Sequence, residues 1–113
     1  MPRRRRRRRV GSQPDFEYFR PGRGSKPNSE VFLMVEEFEA IRLNDLEGKS
    51  QKEAAKEMGI SQPTFHRTLV SAREKIADAL VNGKAIKIKG GNYEFVKDSE
   101  SDAGNAKGRK PRG

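Results

Sequence analysis

The chain has 113 residues and a formal net charge of +9 at neutral pH, and this length predicts one domain rather than two. Only 32% of the residues are hydrophobic, so we expect a small core with part of the chain unfolded. The sequence contains no cysteine and no apolar run long enough to cross a membrane, which argues against disulfides, thiolate metal sites and a membrane partner, and we expect a cytoplasmic, nucleoid-associated protein.

The first predicted segment, residues 1–14, is an arginine-rich arm. Neighbouring like charges repel one another, so we expect the arm to be disordered. Guanidinium groups bind phosphates in a bidentate manner and stay charged, so a polyanion is the expected partner. A solvated tail that only keeps the protein soluble is the alternative, and a nuclear-import signal is a third reading. The arginines of the arm are Arg3, Arg4, Arg5, Arg6, Arg7, Arg8 and Arg9.

Residues 15–96 are predicted to form one folded, mainly α-helical domain. Residues 34–96 carry equal numbers of basic and acidic side chains, so the positive excess lies in the flanks of the chain. Short strands are predicted in "FEYFRPGRG" and "VFLMV". Three aromatic residues of the first stretch are expected to anchor the arm to the core: Phe16, Tyr18 and Phe19.

The first predicted helix spans residues 35–47, "VEEFEAIRLNDLE", and ends at Gly48. The helix dipole favours acidic residues in a first turn, which explains "EEFE" without a catalytic role. Because this helix is acidic, we assign it to scaffolding rather than to nucleic-acid binding. Its apolar face is predicted to consist of Val35, Phe38, Ile41 and Leu46.

The next stretch, "SQKEAAKEMGISQPTFHRTLVSAREKI", predicts two helices joined by a glycine turn. Ser50 and Glu53 have the spacing of a capping box, Gly59 suits a left-handed turn, and Ser61 caps the third helix. The third helix is predicted over residues 62–81, ending before Gly83. Its inward stripe is predicted to be Phe65, Leu69, Ala72, Ile76 and Leu80.

This pattern is typical of a three-helix, helix-turn-helix domain, whose second helix lies in the major groove of DNA. Gln62 has the hydrogen-bonding groups to read adenine, and Arg67 those to read guanine. His66 is predicted to contact a base or a phosphate. Auxiliary and DNA-backbone contacts are predicted for the arm arginines Arg3 to Arg9 and for Ser61, Thr64, Lys49, Lys52 and Arg73.

After Gly83 the chain predicts a small β-hairpin, with strands in "AIKI" and "YEF" and a turn at Gly90–Gly91. Its lysines, Lys84, Lys87 and Lys89, are read either as a wing that touches phosphates or as part of a flap that covers helix ends. Residues 97–113 are predicted to be a disordered tail.

The motifs "EFEAIRLNDLEG", "SQPTF" and "ADALVNGKAI" resemble uncharacterised protein family 0251, which is described as putative prokaryotic DNA-binding proteins. The resemblance extends from about Tyr18 to Tyr93. It implies a helix-turn-helix similar to region four of sigma factors. Members often carry cysteine in the N-terminal segment, where this chain has Gly11 and Ser12, so metal or redox sensing is not implied for it.

We therefore expect a sequence-specific double-stranded DNA-binding protein that regulates transcription, with no cofactor and no catalytic residues. A homodimer is expected, with residues 77–81 as the candidate dimer surface and half-sites one DNA turn apart. Two alternatives stay open. One is a general nucleic-acid binder driven by the arginine arm, and the other is a protein-docking module that contacts RNA polymerase.

Overall fold

The structure, a computed structural model, describes residues 7–22 and 29–96, which form a small domain of three helices and five short strands. The predicted tail at 97–113 lies outside these residues, as do Arg3, Arg4, Arg5 and Arg6. In chain order the elements are β1 (Arg8–Val10), β2 (Tyr18–Phe19), β3 (Glu30–Leu33), α1 (Val35–Ala40, continued as a π-helix over Ile41–Leu46), α2 (Gln51–Met58), α3 (Gln62–Asn82), β4 (Ala85–Ile88) and β5 (Tyr93–Phe95).

The first helix changes its winding halfway. After Ala40 it becomes a π-helix, and at its end the Glu47 N–H donates to the carbonyl of Arg42, five residues earlier. This wider turn rotates the apolar face relative to a regular α-helix. The prediction for Leu46 was therefore wrong, because its side chain is 79% exposed, whereas Val35 is buried as predicted.

Three acidic residues of α1 are buried: Glu36, Glu37 and Glu39. The assignment of this helix to scaffolding did not predict their burial. Glu37 accepts hydrogen bonds from the Met34 N–H at 2.9 Å, from Ser71 at 2.6 Å and from Lys75 at 2.8 Å. Glu39 accepts from the Gly11 N–H at 3.0 Å. A buried carboxylate is tolerated when its oxygens have such partners, so these acids join α1 to α3 and to the chain after β1.

The two helices and the glycine turn predicted from residue 50 onward are present. Ser50 and Glu53 form both bonds of the capping box, at 3.0 and 3.1 Å. Gly59 has φ +71°, a left-handed conformation that ends α2 without the strain a Cβ would cause. Ser61 accepts the Thr64 N–H at 3.2 Å, which caps α3 as predicted.

The core consists of two adjoining clusters. One joins α1, α2 and the first half of α3, and the other joins β1, β3 and β4 to the middle of α3. Phe65, Leu69 and Ala72 are fully buried, as the predicted stripe requires. Leu80 is 77% exposed, so its predicted place in the stripe was wrong, and Ala79 is the buried residue of that turn.

The strands β4 and β5 lie where they were predicted, but they do not form a hairpin. β4 is the central strand of a three-stranded sheet, antiparallel to β2 and parallel to β3. β5 instead pairs in parallel with β1, with Arg8 opposite Tyr93 and Val10 opposite Phe95. The predicted turn residues Gly90 and Gly91 do have positive φ, but they connect β4 in one sheet to β5 in the other.

The pairing with β5 also corrects the prediction for the arm, because residues 8–10 of the expected disordered segment form a strand. Val10 of this strand is fully buried and packs in the second core cluster. The aromatic residues expected to do so remain on the surface, where Phe16 is 72% exposed and Phe19 50% exposed. Within the described residues, no helix combines the length and the apolar character needed to span a membrane.

Candidate nucleic-acid interface

The first turns of α3 present a polar surface to solvent. Gln62, His66 and Arg67 are all exposed, and with Gln51 and Pro63 they line an open depression of about 510 Å³. The structure therefore brings together the three residues that the sequence predicted as base readers. Gln62 and His66 lie one turn apart on the same side of α3, and Arg67 is displaced by about 100° around the helix, so all three border the depression.

Gln51 belongs to this surface but was not predicted. Its side-chain oxygen lies 3.2 Å from Nδ1 of His66, across the gap between α2 and α3. The contact holds the imidazole against the neighbouring helix. Local sequence patterns do not reveal this contact, because Gln51 and His66 lie on different helices, 15 residues apart.

Ser61 and Thr64 have their polar atoms engaged within the helix end. The Ser61 hydroxyl donates to Oγ1 of Thr64 at 2.8 Å and accepts the Thr64 N–H. Thr64 also lies 3.4 Å from the guanidinium of Arg67, a distance at which a hydrogen bond is weak. The Arg67 side chain is thus held loosely on its exposed face, and the other two residues shape the helix end.

Two of the predicted phosphate-binding cations form ion pairs with acidic residues on the surface of the domain. Lys49 lies 2.9 Å from Glu57, and the hydrogen bond to Glu57 raises the pKa of the Lys49 ammonium. Arg73 lies 2.6 Å from Asp45, and the hydrogen bond to Asp45 raises the pKa of its guanidinium. Their charges are largely neutralised locally. Lys52 is exposed on α2, next to Gln51 along the chain.

The described arginines of the arm lie in three different settings. Arg7 is exposed, Arg8 is half-buried, and Arg9 is exposed with its guanidinium against the turn at Gly59. A methyl group added at Gly59 would lie 3.0 Å from Nε of Arg9, so the glycine also makes room for this side chain. Arg8 lines a second cavity, which reaches Arg67.

The predicted wing lysines are not a free basic surface. Lys84 pairs with Asp78 at 2.9 Å, and Lys89 lies 5.4 Å from the centre of the Phe32 ring. Lys87 is half-buried in the central strand of the sheet. Among the described residues there is no group of three or more side chains that could hold a metal ion.

Comparison with known proteins places these features in a family. A family model described as a protein of unknown function, DUF134, matches residues 1–96. A UPF0251 protein of Caldicellulosiruptor bescii is 60% identical over 84% of this chain and 66% of its own length, so the chain spans just under two thirds of that relative.

Two further relatives are covered more fully. A UPF0251 protein of Caldanaerobacter subterraneus subsp. tengcongensis is 57% identical over 83% of this chain and 80% of its own. One from Pelotomaculum thermopropionicum is 54% identical over 85% of this chain and 74% of its own. No solved structure matches the chain.

Proposed function

Since the chain belongs to the DUF134 family, whose description gives no activity, we propose from its own residues that it is a sequence-specific double-stranded DNA-binding protein that regulates transcription. In this proposal α2, the turn at Gly59 and α3 act as a helix-turn-helix similar to region four of sigma factors. The N-terminal half of α3 enters the major groove.

The observation that carries the proposal is the row of exposed hydrogen-bonding side chains at the start of α3. Gln62, His66 and Arg67 are exposed in the first two turns of α3, while Phe65 and Leu69 of the same helix are completely buried. A helix fixed in this way has a rigid backbone, so its exposed side chains keep the spacing needed to contact base edges. Those edges are distinguishable in the major groove.

The chemistry of each side chain gives it a role. Arg67 donates two parallel hydrogen bonds to O6 and N7 of guanine, and Gln62 exchanges hydrogen bonds with N6 and N7 of adenine. His66, positioned by Gln51, donates to a base or to the adjacent phosphate. Lys52, Arg7 and the arginines before it supply attraction to the DNA backbone without sequence preference.

A homodimer fits this proposal, because one such unit contacts few base pairs. Leu80 and Val81 are 77% and 80% exposed at the end of α3, within the predicted dimer surface. Two apolar side chains exposed side by side are suited to self-association. Analytical ultracentrifugation tests this, and a protein that stays monomeric at high concentration with and without DNA contradicts it.

The proposed function is tested by selection from a randomised duplex pool, with wild type, Arg67→Ala and Arg73→Ala compared. Both variants lose one arginine from α3, but Arg73 lies off the reading face and is paired with Asp45. We expect a single enriched motif for the wild type. Arg67→Ala should relax one position by about 1–3 kcal/mol, and Arg73→Ala should keep the motif.

Two results would contradict sequence-specific reading. If no motif is enriched and binding depends only on the arginine arm, the protein is a general nucleic-acid binder. If the protein binds no duplex even at low salt, α2 and α3 serve instead as a docking module, and RNA polymerase is then the partner to test.

A further inference from the structure

A second cavity lies beside the reading face of α3. It has a volume of about 460 Å³, and its walls come from β1, the start of α1, the middle of α3 and the turn before β5. Arg67 lines both this cavity and the depression that contains Gln62 and His66. The two are therefore neighbours, separated by one arginine side chain.

The strand β1 directs Arg8 into this cavity. Side chains alternate along a strand, so Arg8 lies on the same side as Val10, which is buried in the core, and Arg9 lies on the other side. Nε of Arg8 is shielded from solvent and has no hydrogen-bond partner among the described residues. A shielded guanidinium N–H without an acceptor is unfavourable. Because the Arg8 side chain is only half-buried and lines the cavity, an acceptor placed in the cavity could stabilise its guanidinium.

The acidic and hydroxyl groups around Arg8 are already occupied. Glu37 is bonded to Ser71 and Lys75, and Glu36 accepts the Asn92 N–H at 3.0 Å. The Thr68 hydroxyl donates to the carbonyl of Thr64 at 2.9 Å, within its own helix. Glu36 and Glu37 line the same cavity as Arg8, but no salt bridge joins Arg8 to an acid in the described part of the chain.

We propose that this cavity receives one phosphate group of the DNA backbone, bound by the guanidinium of Arg8. The inference rests on the proposed function, since the phosphate is the one next to the base read by Arg67. Arginine is the side chain best suited to this role, because its planar fork matches two phosphate oxygens. Arg8 thus forms a defined phosphate-binding site, whereas the other arginines of the arm attract the DNA backbone without a fixed contact.

The test compares Arg8→Gln with Arg9→Gln in the full chain. Both variants remove one positive charge from the same strand, so a general electrostatic effect weakens both equally. Binding to a fluorescent duplex is measured by anisotropy at several salt concentrations. We expect Arg8→Gln to bind roughly tenfold more weakly near 0.1 M salt and to reduce the salt slope by about 1, which is the loss of one phosphate contact.

Arg9→Gln should change the affinity by no more than about twofold, since Arg9 lies against the turn at Gly59, outside this cavity. Arg8→Lys, which keeps the charge, should fall between wild type and Arg8→Gln because an ammonium lacks the planar fork. Circular dichroism melting establishes that each variant is folded. If Arg8→Gln does not fold, the affinities of Arg8→Lys and Arg9→Lys for the duplex are compared instead, and only Arg8→Lys should bind more weakly than the wild type.

Equal losses for the Arg8 and Arg9 variants, with a wild type that binds duplex, would overturn the phosphate site and leave the proposed function intact. A wild type that binds no duplex would overturn both. A loss confined to Arg8, with the reduced salt slope, supports the phosphate site.

Discussion

At the residue scale, the backbone of Gly91 lies so close to the Glu36 carboxylate that a Cβ atom would collide with it. The Glu36 carboxylate is nearly fully buried and accepts the N–H of Asn92, the residue after Gly91. A Cβ placed on Gly91 would lie 2.0 Å from Oε1 of Glu36, and the backbone there has φ +113°. The backbone conformation therefore favours glycine at this position, and a side chain there would also require the Glu36 carboxylate to shift.

Gly90 provides a matched comparison for this constraint. It has φ +78°, but a Cβ there would meet nothing within 4 Å. We expect Gly90→Ala to lower the free energy of unfolding by about 1–2 kcal/mol, from backbone strain alone. Gly91→Ala should lower it by about 3 kcal/mol or more, because the carboxylate must also move. Urea denaturation measures both, and equal losses would show that the Glu36 contact has no energetic effect.

The residues that could be predicted from sequence are those whose structure is decided locally. Ser50, Gly59 and Ser61 each act on their own helix end, within a few residues, and all three have the predicted roles. Leu46 and Leu80 were predicted from a regular helical period and are exposed. The first prediction failed because the helix widens after Ala40, and the second because none of the described residues packs over that side of the last turns of α3.

At the scale of elements, α1 is joined to α3 by a buried acid rather than only by apolar contacts. Glu37 is 1% exposed and is bonded to Ser71 and Lys75 of α3 as well as to the backbone of Met34. The same α3 carries the proposed reading face one turn earlier, so this network sets how α3 is held against the scaffold. The sequence showed an acidic first turn but gave no signal of the partners, which are more than thirty residues away.

The importance of this network is tested by Glu37→Ala, with Glu57→Ala as the control. Glu57 forms an ion pair with Lys49 on the surface, where both side chains are well solvated, and its loss should cost no more than about 1 kcal/mol. Glu37→Ala leaves a buried N–H and a partly buried ammonium without an acceptor, so we expect a loss of about 3 kcal/mol. Chemical denaturation compares the two, and similar small losses would mean that α1 and α3 are held by apolar packing alone.

Strand pairing was the least predictable feature at this scale. Both β4 and β5 have the alternation typical of strands, and Gly90–Gly91 is a reasonable turn signal between them. Their actual partners are decided by contacts distant in sequence: β4 is flanked by β2 and β3, and β5 pairs with β1. Local patterns contain no information on such partners. The strand positions were therefore predicted correctly, but the predicted pairing of β4 with β5 was wrong.

At the scale of the whole molecule, the arginine-rich segment contributes to the fold as well as to charge. β1 supplies the fully buried Val10, and its backbone bonds to the C-terminal strand region through the Arg8 N–H to Asn92 and the Val96 N–H to Val10. The sequence indicated only repulsion between neighbouring arginines. It did not indicate that residues 8–10 form a strand, whose alternation places Arg8 and Arg9 on opposite sides.

We therefore expect deletion of residues 1–10 to lower the free energy of unfolding by about 2–4 kcal/mol, from the lost burial of Val10 and the lost backbone bonds. Arg7→Ala, which removes an exposed charge from the same segment, should change it by no more than about 0.5 kcal/mol. Urea denaturation of both variants makes the comparison. An unchanged midpoint after the deletion would mean that the segment is only a charged appendage.

Of the proposed DNA-binding surface, the part on α3 was accessible from the sequence, because Gln62, His66 and Arg67 follow a recognisable cap at fixed spacing. The ion pairs of Lys49 and Arg73, which were predicted to contact phosphates, could not be predicted from the sequence. Their acidic partners come close to them only in the folded chain. The special position of Arg8 depends on β1, and so on the tertiary fold.

The parallel pairing of β1 with β5 also has a consequence for the order of events during synthesis. The first strand of the domain cannot find its partner until Tyr93–Phe95 has been made and has left the ribosome. Completion of β5 is therefore the step at which β1 can join the fold, so the first and last strands of the described domain become ordered together.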